Sequence, residues 1–165
     1  MAAIERPDRE VIIGADAFGA KIAEVIAGAS HTIALLSLTL SRRFYARDDV
    51  TGAFTKFALH DERVQIRVIV ADARGATMGG NAFLEVARKL PSRIKLRELT
   101  PEKREAEGPE ILIIDRTIML ELPDPSRPEA YFYPQATQRV VEKLKHFDAA
   151  WDESEAGIEL SGMRL

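Results

Sequence analysis

The chain has 165 residues, 46% apolar and 30% charged, which fits one soluble globular domain with a substantial core. Its net charge of −3 leaves no general basic field for nucleic acid or an anionic membrane, and the acidic balance argues against nucleic acid as a partner. It contains no cysteine, which excludes disulfides, thiolate metal sites and a cysteine nucleophile.

Residues 1–15 read as an N-terminal extension, polar at its start and without the basic head and apolar stretch of a signal peptide. The longest apolar run, near residues 33–40, is far too short to span a bilayer, so the chain reads as cytoplasmic with no membrane contact. Asp16 can cap a first helix, in which Phe18, Ile22, Val25, Ile26 and Ala29 recur at helical spacing. "TIALLSLTL" (32–40) is apolar on both faces, as in a strand covered on both sides. Asp48 or Asp49 opens a second helix carrying Val50, Ala53, Phe54, Phe57 and Ala58. In "VQIRVIVAD" (64–72), Val64, Ile66, Val68 and Val70 share one face. A third helix holds Phe83, Leu84, Val86, Ala87 and Leu90, and Pro91 stops it.

"RIKLREL" (93–99) has one polar face and reads as a strand near a sheet edge. Residues 110–115 and 118–122 read as a strand and its return, and "EAYFY" (129–133) as one more. In that last strand Phe132 must point opposite to Tyr131 and Tyr133. A long helix over 135–154 carries the stripe Val140, Leu144, Phe147 and Trp151, and Gly157 is a plausible stop. Strands alternating with helices predict right-handed parallel crossovers early in the chain, and short turns predict hairpins later. The fold expected is α/β: a mixed, mostly parallel sheet with helices on both faces, the domain running from 16 to 156 and a tail from 157 to 165.

This order resembles one half of the phospholipase-D-like superfamily. The likeness is carried by "ASHTIALLSLTL", by "VQIRVIVAD" with Asp72 at its end, by the hairpin "ILIIDRTIMLEL", and by "EAYFYPQATQRVVEKLKHFDAAWDES". More narrowly, "ARDDVTGAFTKFA" and "LEVARKLPSRIKLREL" are similar to a bacterial domain family of unknown function, whose members stand alone or beside GNAT-type acetyltransferase domains.

The resemblance implies a specific motif: His-x-Lys, four residues, then Asp. The imidazole attacks phosphorus, the lysine neutralises phosphate oxygens, and the aspartate orients an imidazole. With Asp115 as the aspartate, the lysine position falls on Glu110 and the histidine position on Gly108. Glycine offers no nucleophile, and glutamate reverses the sign of the phosphate interaction. A dimer would supply two glycines, not two histidines. The resemblance therefore implies a catalytically inactive, binding or regulatory domain in which Gly108, Glu110 and Asp115 are remnants and no catalytic residue is assigned. Asp115 between two strands also reads as a turn residue, its side chain bonding nearby backbone N–H groups. His31, His60 and His146 have no partner at metal or triad spacing, so neither metal nor cofactor is expected.

Ligands of such sheets gather beyond the C-terminal ends of parallel strands. Two loops fall there. "SLTLSRRFYARDD" brings Arg42, Arg43 and Arg47 beside Phe44 and Tyr45, and "ADARGATMGGNAF" brings Asp72 and Arg74 before a glycine pair. These five residues are the candidate contacts for a protein partner or small anion, and a homodimer is compatible with the pattern. The rival reading is an enzyme, or a phosphate or nucleic-acid binder, that uses this arginine-rich region as a relocated site.

Overall fold

The computed structural model describes residues 8–100, 109–157 and 160. In chain order the elements are β1 (Glu10–Ile13), α1 (Ala15–Ala27), β2 (Thr32–Ser37), α2 (Arg42–Tyr45), α3 (Asp48–His60), β3 (Gln65–Val70), α4 (Ala73–Thr77), α5 (Ala82–Lys89), β4 (Ile94–Glu98), β5 (Glu110–Ile114), β6 (Ile118–Leu122), β7 (Glu129–Tyr133), α6 (Gln138–Glu153) and β8 (Glu155–Ala156). The eight strands among the described residues form a single sheet in the order β1-β7-β6-β5-β2-β3-β4-β8.

The expectation of a mostly parallel sheet needs correction. Of the seven pairings among the described residues, only β2 with β3 and β3 with β4 are parallel. Those two are the pairs linked by long helical crossovers, which parallel strands require. Short hairpins join β5, β6 and β7, and β5 sets antiparallel against β2.

Helices cover both faces, with a core on each. On one face α1, α3 and α5 pack Phe18, Ile22, Phe54 and Phe83 against Leu35, Ile66, Val68, Leu112 and Leu120. On the other, α6 lays Val140, Leu144 and Phe147 over Ala34, Ile69, Ile111, Ile113 and Met119. The strand alternation is therefore real: Val64, Ile66, Val68 and Val70 belong to the first core, Ile69 to the second. Phe132 turns to the first core and Tyr131 and Tyr133 to the second.

Local chemistry shifts several boundaries. The N-cap of α1 is Gly14, not Asp16, which instead lies in the first turn. Thr137 caps α6, its side chain accepting from the Val140 N–H, so that helix begins three residues after the expected start. Four short elements add to those expected. The edge strand β1 lies within what reads as an N-terminal extension, α2 and α4 lie within what reads as loops, and β8 closes the far edge against β4. No helix among the described residues is long and apolar enough to cross a membrane.

Candidate functional site

The parallel strands β2 and β3 end where the loops 38–47 and 71–81 begin, and β5 starts beside them, running the other way. Glu110, the first residue of β5, therefore reaches the C-terminal end of β2. It is almost wholly buried, at 3% exposure. Three donors converge on its carboxylate: the Ser37 hydroxyl (2.6 Å), the Leu38 N–H (2.8 Å) and the Tyr45 hydroxyl (2.8 Å). Ser37 is itself buried and accepts from the Leu40 N–H at 2.9 Å.

Burial pushes the Glu110 carboxyl above its usual range, while the bonds from Ser37, Leu38 and Tyr45 oppose that shift. Burial, reinforced by the neighbouring carboxylate, likewise holds the Tyr45 hydroxyl well above the ordinary phenol range. Tyr45 is seated by aromatic edges: Phe44 at 6.1 Å and Phe83 at 6.2 Å between ring centroids. The short helix α2 thus drives an aromatic side chain into the space above the first residue of β5.

Asp115 lies at the other end of the same strand. Asp115 and Arg116 have φ of 51° and 63°, and the Thr117 N–H closes the turn on the Ile114 carbonyl at 3.1 Å. Positive φ at successive turn residues suits a twisted hairpin, and aspartate tolerates it better than most side chains. The Asp115 carboxylate accepts from three consecutive backbone groups, the N–H of Ser30 (2.8 Å), His31 (2.6 Å) and Thr32 (2.9 Å). It holds the entry of β2 and touches the backbone of His31. Gly108 lies outside the described residues.

The five candidate contact residues do not converge. Arg42 donates to the Met78 carbonyl at 2.5 Å, tying one loop to the other. That approach depends on Gly79, φ +74°, where an added Cβ would come within 2.6 Å of the guanidinium. Arg47 turns the opposite way. It holds Asp49 through two bonds of 3.0 and 3.1 Å, approaches Asp16, and lays its stem across Gly19 of α1. The Arg47 guanidinium in turn draws the Asp49 carboxyl below the usual carboxylate range. Asp72 caps α4 by accepting from the Gly75 N–H at 3.1 Å. Arg42, Arg43 and Arg74 are exposed on this rim with no carboxylate partner among the described residues, and Arg43 lies 5.3 Å from the Phe44 ring centroid. Asn81 completes the lock between the loops, donating to the Leu40 and Ala76 carbonyls at 3.0 and 3.3 Å.

Two further polar clusters lie on the α6 face, and the sequence reading missed both. Glu121 of β6, 1% exposed, receives Arg139 of α6 through bonds of 2.9 and 3.1 Å, with the Lys143 ammonium at 3.7 Å. Farther along, Arg67 and Arg116 share Asp148 at 2.9 and 3.3 Å. Arg97 lies 4.4 Å from the Trp151 ring centroid and donates to the Trp151 carbonyl at 2.8 Å. Lys95 stands directly opposite Arg67 in the β3–β4 register. The visible signal was alternation: Arg67, Lys95 and Arg97 occupy the polar positions of two adjacent strands.

At the N-terminal ends of β2 and β3, a shallow depression of about 500 Å3 is lined by Ser30, His31, Thr32, His60, Asp61 and Arg63 among others. Arg63 ties up Asp61 there and draws its carboxyl down to about 2. Among the described residues no group of three or more His, Asp and Glu is placed to hold a metal ion.

Comparison with solved structures matches this architecture to the phospholipase D family. The chain is similar to Nuc from Salmonella typhimurium, a phospholipase D family member, at 15% identity and a TM-score of 0.63, covering 90% of this chain and 97% of that one. It is similar to NucT from Helicobacter pylori at 9% identity and a TM-score of 0.63, covering 90% and 98%. It is also similar to TrmBL2, an archaeal chromatin protein with a novel mode of DNA binding, at 16% identity and a TM-score of 0.61. There it covers 93% of this chain and spans 56% of the other. The sequence has no match among curated proteins. The fold is phospholipase-D-like. Residues 14–163 match the model of a domain family of unknown function, DUF7931, and the chain belongs to that family.

Proposed function

We propose that this chain is a non-cleaving phospholipase-D-like domain that acts as a binding or regulatory module. One observation carries the reading. Where the motif of that superfamily calls for a lysine to meet phosphate, Glu110 is buried and consumed by three donors, with Tyr45 packed over it. A phosphate entering there would meet a carboxylate in place of an ammonium, and a ring in place of open space. The Gly108 position offers no nucleophile. A protein partner or small anion remains the ligand class, with Arg42, Arg43 and Arg74 exposed cations on the rim.

The test is hydrolysis of a chromogenic phosphodiester and of single-stranded DNA by the purified protein. No turnover above a heat-inactivated control is expected. Turnover that persists through purification, and disappears in a folded Glu110→Gln variant, overturns the reading.

A second reading has its own observation. Arg67 and Lys95 sit directly opposite one another on adjacent strands, an arrangement that costs stability unless an anion offsets it. With Arg97 and Arg116 nearby, they form a cationic stretch beside α6, countered by Asp148. This supports phosphate-backbone binding on the α6 face, away from the arginines of the loops. It predicts binding to single-stranded DNA at low salt that weakens steeply as salt rises, and that Lys95→Glu reduces at least about tenfold. No binding at low salt removes it.

A further inference from the structure

The sheet ends at β1, whose outer backbone groups have no partner among the described residues. The bond from the Gly14 N–H to the Pro128 carbonyl, 2.8 Å, fixes which way the strand's polar groups point. Directions alternate along an antiparallel pair, so Glu10, Ile12 and Gly14 turn their N–H and C=O groups towards β7. Val11 and Ile13 turn theirs outward, away from the sheet. The side chains alternate as well. Ile12 enters the core beneath α1, which leaves Val11 and Ile13 on the α6 face, 49% and 74% exposed.

Edge strands in monomers are usually blunted by shortness, charged side chains, proline or a bulge. This one, Glu-Val-Ile-Ile, is short and carries a charge only at its first residue, on a position whose backbone groups face β7, and its outward-facing Val11 and Ile13 carry none of these devices. Its outward donors and acceptors and its two exposed apolar side chains lie on the same two residues.

We propose that β1 pairs with β1 of a second copy of this chain, antiparallel, about a two-fold axis through Ile12. Side chains opposite one another across such a pair must share a face, so the axis has to pass through a residue. An axis at Val11 would set Ile13 against Arg9, an apolar side chain against a guanidinium. An axis at Ile12 sets Val11 against Ile13 of the second copy, and the reverse. Each of these two pairs exchanges two backbone bonds, so every outward N–H and C=O of Val11 and Ile13 is used. The four apolar side chains then form one cluster on the α6 face.

The same register offers charge complementarity. Glu10 of the second copy falls opposite Gly14, the N-cap of α1, on the face where that helix lies. The α1 N-terminus has no side-chain cap, and a carboxylate beside a helix start is favourable. Four residues make a short ladder, and stable interfaces bury about 1,200 Å2 or more, so the association is expected to be concentration-dependent. This inference does not rest on whether the domain cleaves phosphodiesters.

Sedimentation equilibrium across the micromolar range tests it. The average mass is expected to climb from 18.3 kDa towards twice that value as concentration rises. Val11→Pro removes an outward N–H but none that bonds to β7, and proline is tolerated at such an edge position. It is expected to weaken association at least about tenfold without changing the monomer fold. Ile13→Lys, on an exposed side chain, is expected to do the same and decides the matter if the proline variant fails to fold. Because the chain has no cysteine, Ile12→Cys adds one thiol, placed about 4.5 Å Cα to Cα from its symmetry mate and within disulfide reach. Mild oxidation is expected to give a reducible covalent dimer, and Lys56→Cys, far from this edge on α3, none. A protein that stays at monomer mass throughout overturns the proposal. So does a dimer that both Val11→Pro and Ile13→Lys leave intact.

Discussion

Asp115 accepts three consecutive backbone N–H groups at the entry of β2, so its side chain ties the β5–β6 turn to a segment 83 to 85 positions earlier in the chain. Asp115→Ala leaves those donors without their acceptor and places alanine at a positive φ. A loss of about 2–3 kcal/mol in unfolding free energy is expected from chemical denaturation. Asparagine keeps one acceptor and tolerates the same backbone, so Asp115→Asn is expected to lose about half as much. Equal losses for the two variants would contradict the capping account. Glu110 gives a pH-dependent prediction. Its folded-state carboxyl is raised by burial, so the ionised form is the costlier one inside the protein. Its contribution is full below the ordinary carboxylate range and is lost as pH rises through the raised value. Wild type is therefore expected to lose stability relative to Glu110→Gln over the pH window that rises from the ordinary carboxylate range. A difference that stays constant over that window would show that burial does not control the group. The place of Asp115 in a turn was legible because that signal is local, but its side chain bonds the N–H groups of Ser30, His31 and Thr32, 83 to 85 positions away, and not those of the turn itself. These partners were as hidden as those of Glu110, since Ser37 and Tyr45 are 73 and 65 positions away and neither spacing nor periodicity links them.

Long, periodic elements were legible, as were the five-residue strands β4 to β7 set off by their turns, whereas β1, β8, α2 and α4 were not. The stripe in α6 and the alternation in β3 each repeat enough to stand out, and both place their residues in the core predicted. Helices α2 and α4 have four and five residues, too few to show a helical period, and they exist because loops fold back onto Phe83 and Leu40. Strand β1 has four residues between polar neighbours, and its pairing with β7 is visible only in three dimensions. The docking of α6 supplies the test at this scale. Its apolar stripe sets which face is buried, and Arg139 anchors its first turns to the buried Glu121. Removing Arg139 leaves a buried carboxylate whose one remaining cation among the described residues is Lys143 at 3.7 Å. Arg139→Ala is expected to cost roughly 1–3 kcal/mol, discounted because the arginine is itself about half exposed. Adding Glu121→Gln should return part of that loss, because the group left unpaired is then neutral. Strictly additive losses in a double-mutant cycle would mean the pair contributes no anchoring.

Across the molecule, one sheet separates two cores, and each strand feeds both. Leu35 and Leu112 pack on one side while their neighbours Ala34 and Ile113 pack on the other. Loss of α6 would bare Ala34, Ile69, Ile111, Ile113 and Met119 on the same strands that carry the opposite core, so the two layers share one backbone. The single tryptophan, Trp151, reports from the α6 face, stacked on Phe147 at 6.3 Å. Ile22 of α1 is fully buried in the opposite core. Ile22→Ala is expected to cost about 2–5 kcal/mol as a buried large-to-small change. In a domain of this length that lowers Tm by about 5–15 °C. If the two cores unfold as one, Trp151 fluorescence must shift in step with far-UV circular dichroism, although no side chain near Trp151 has been altered. A tryptophan transition that stays at the wild-type temperature while the helical signal moves would show two separable layers, contrary to the continuous sheet.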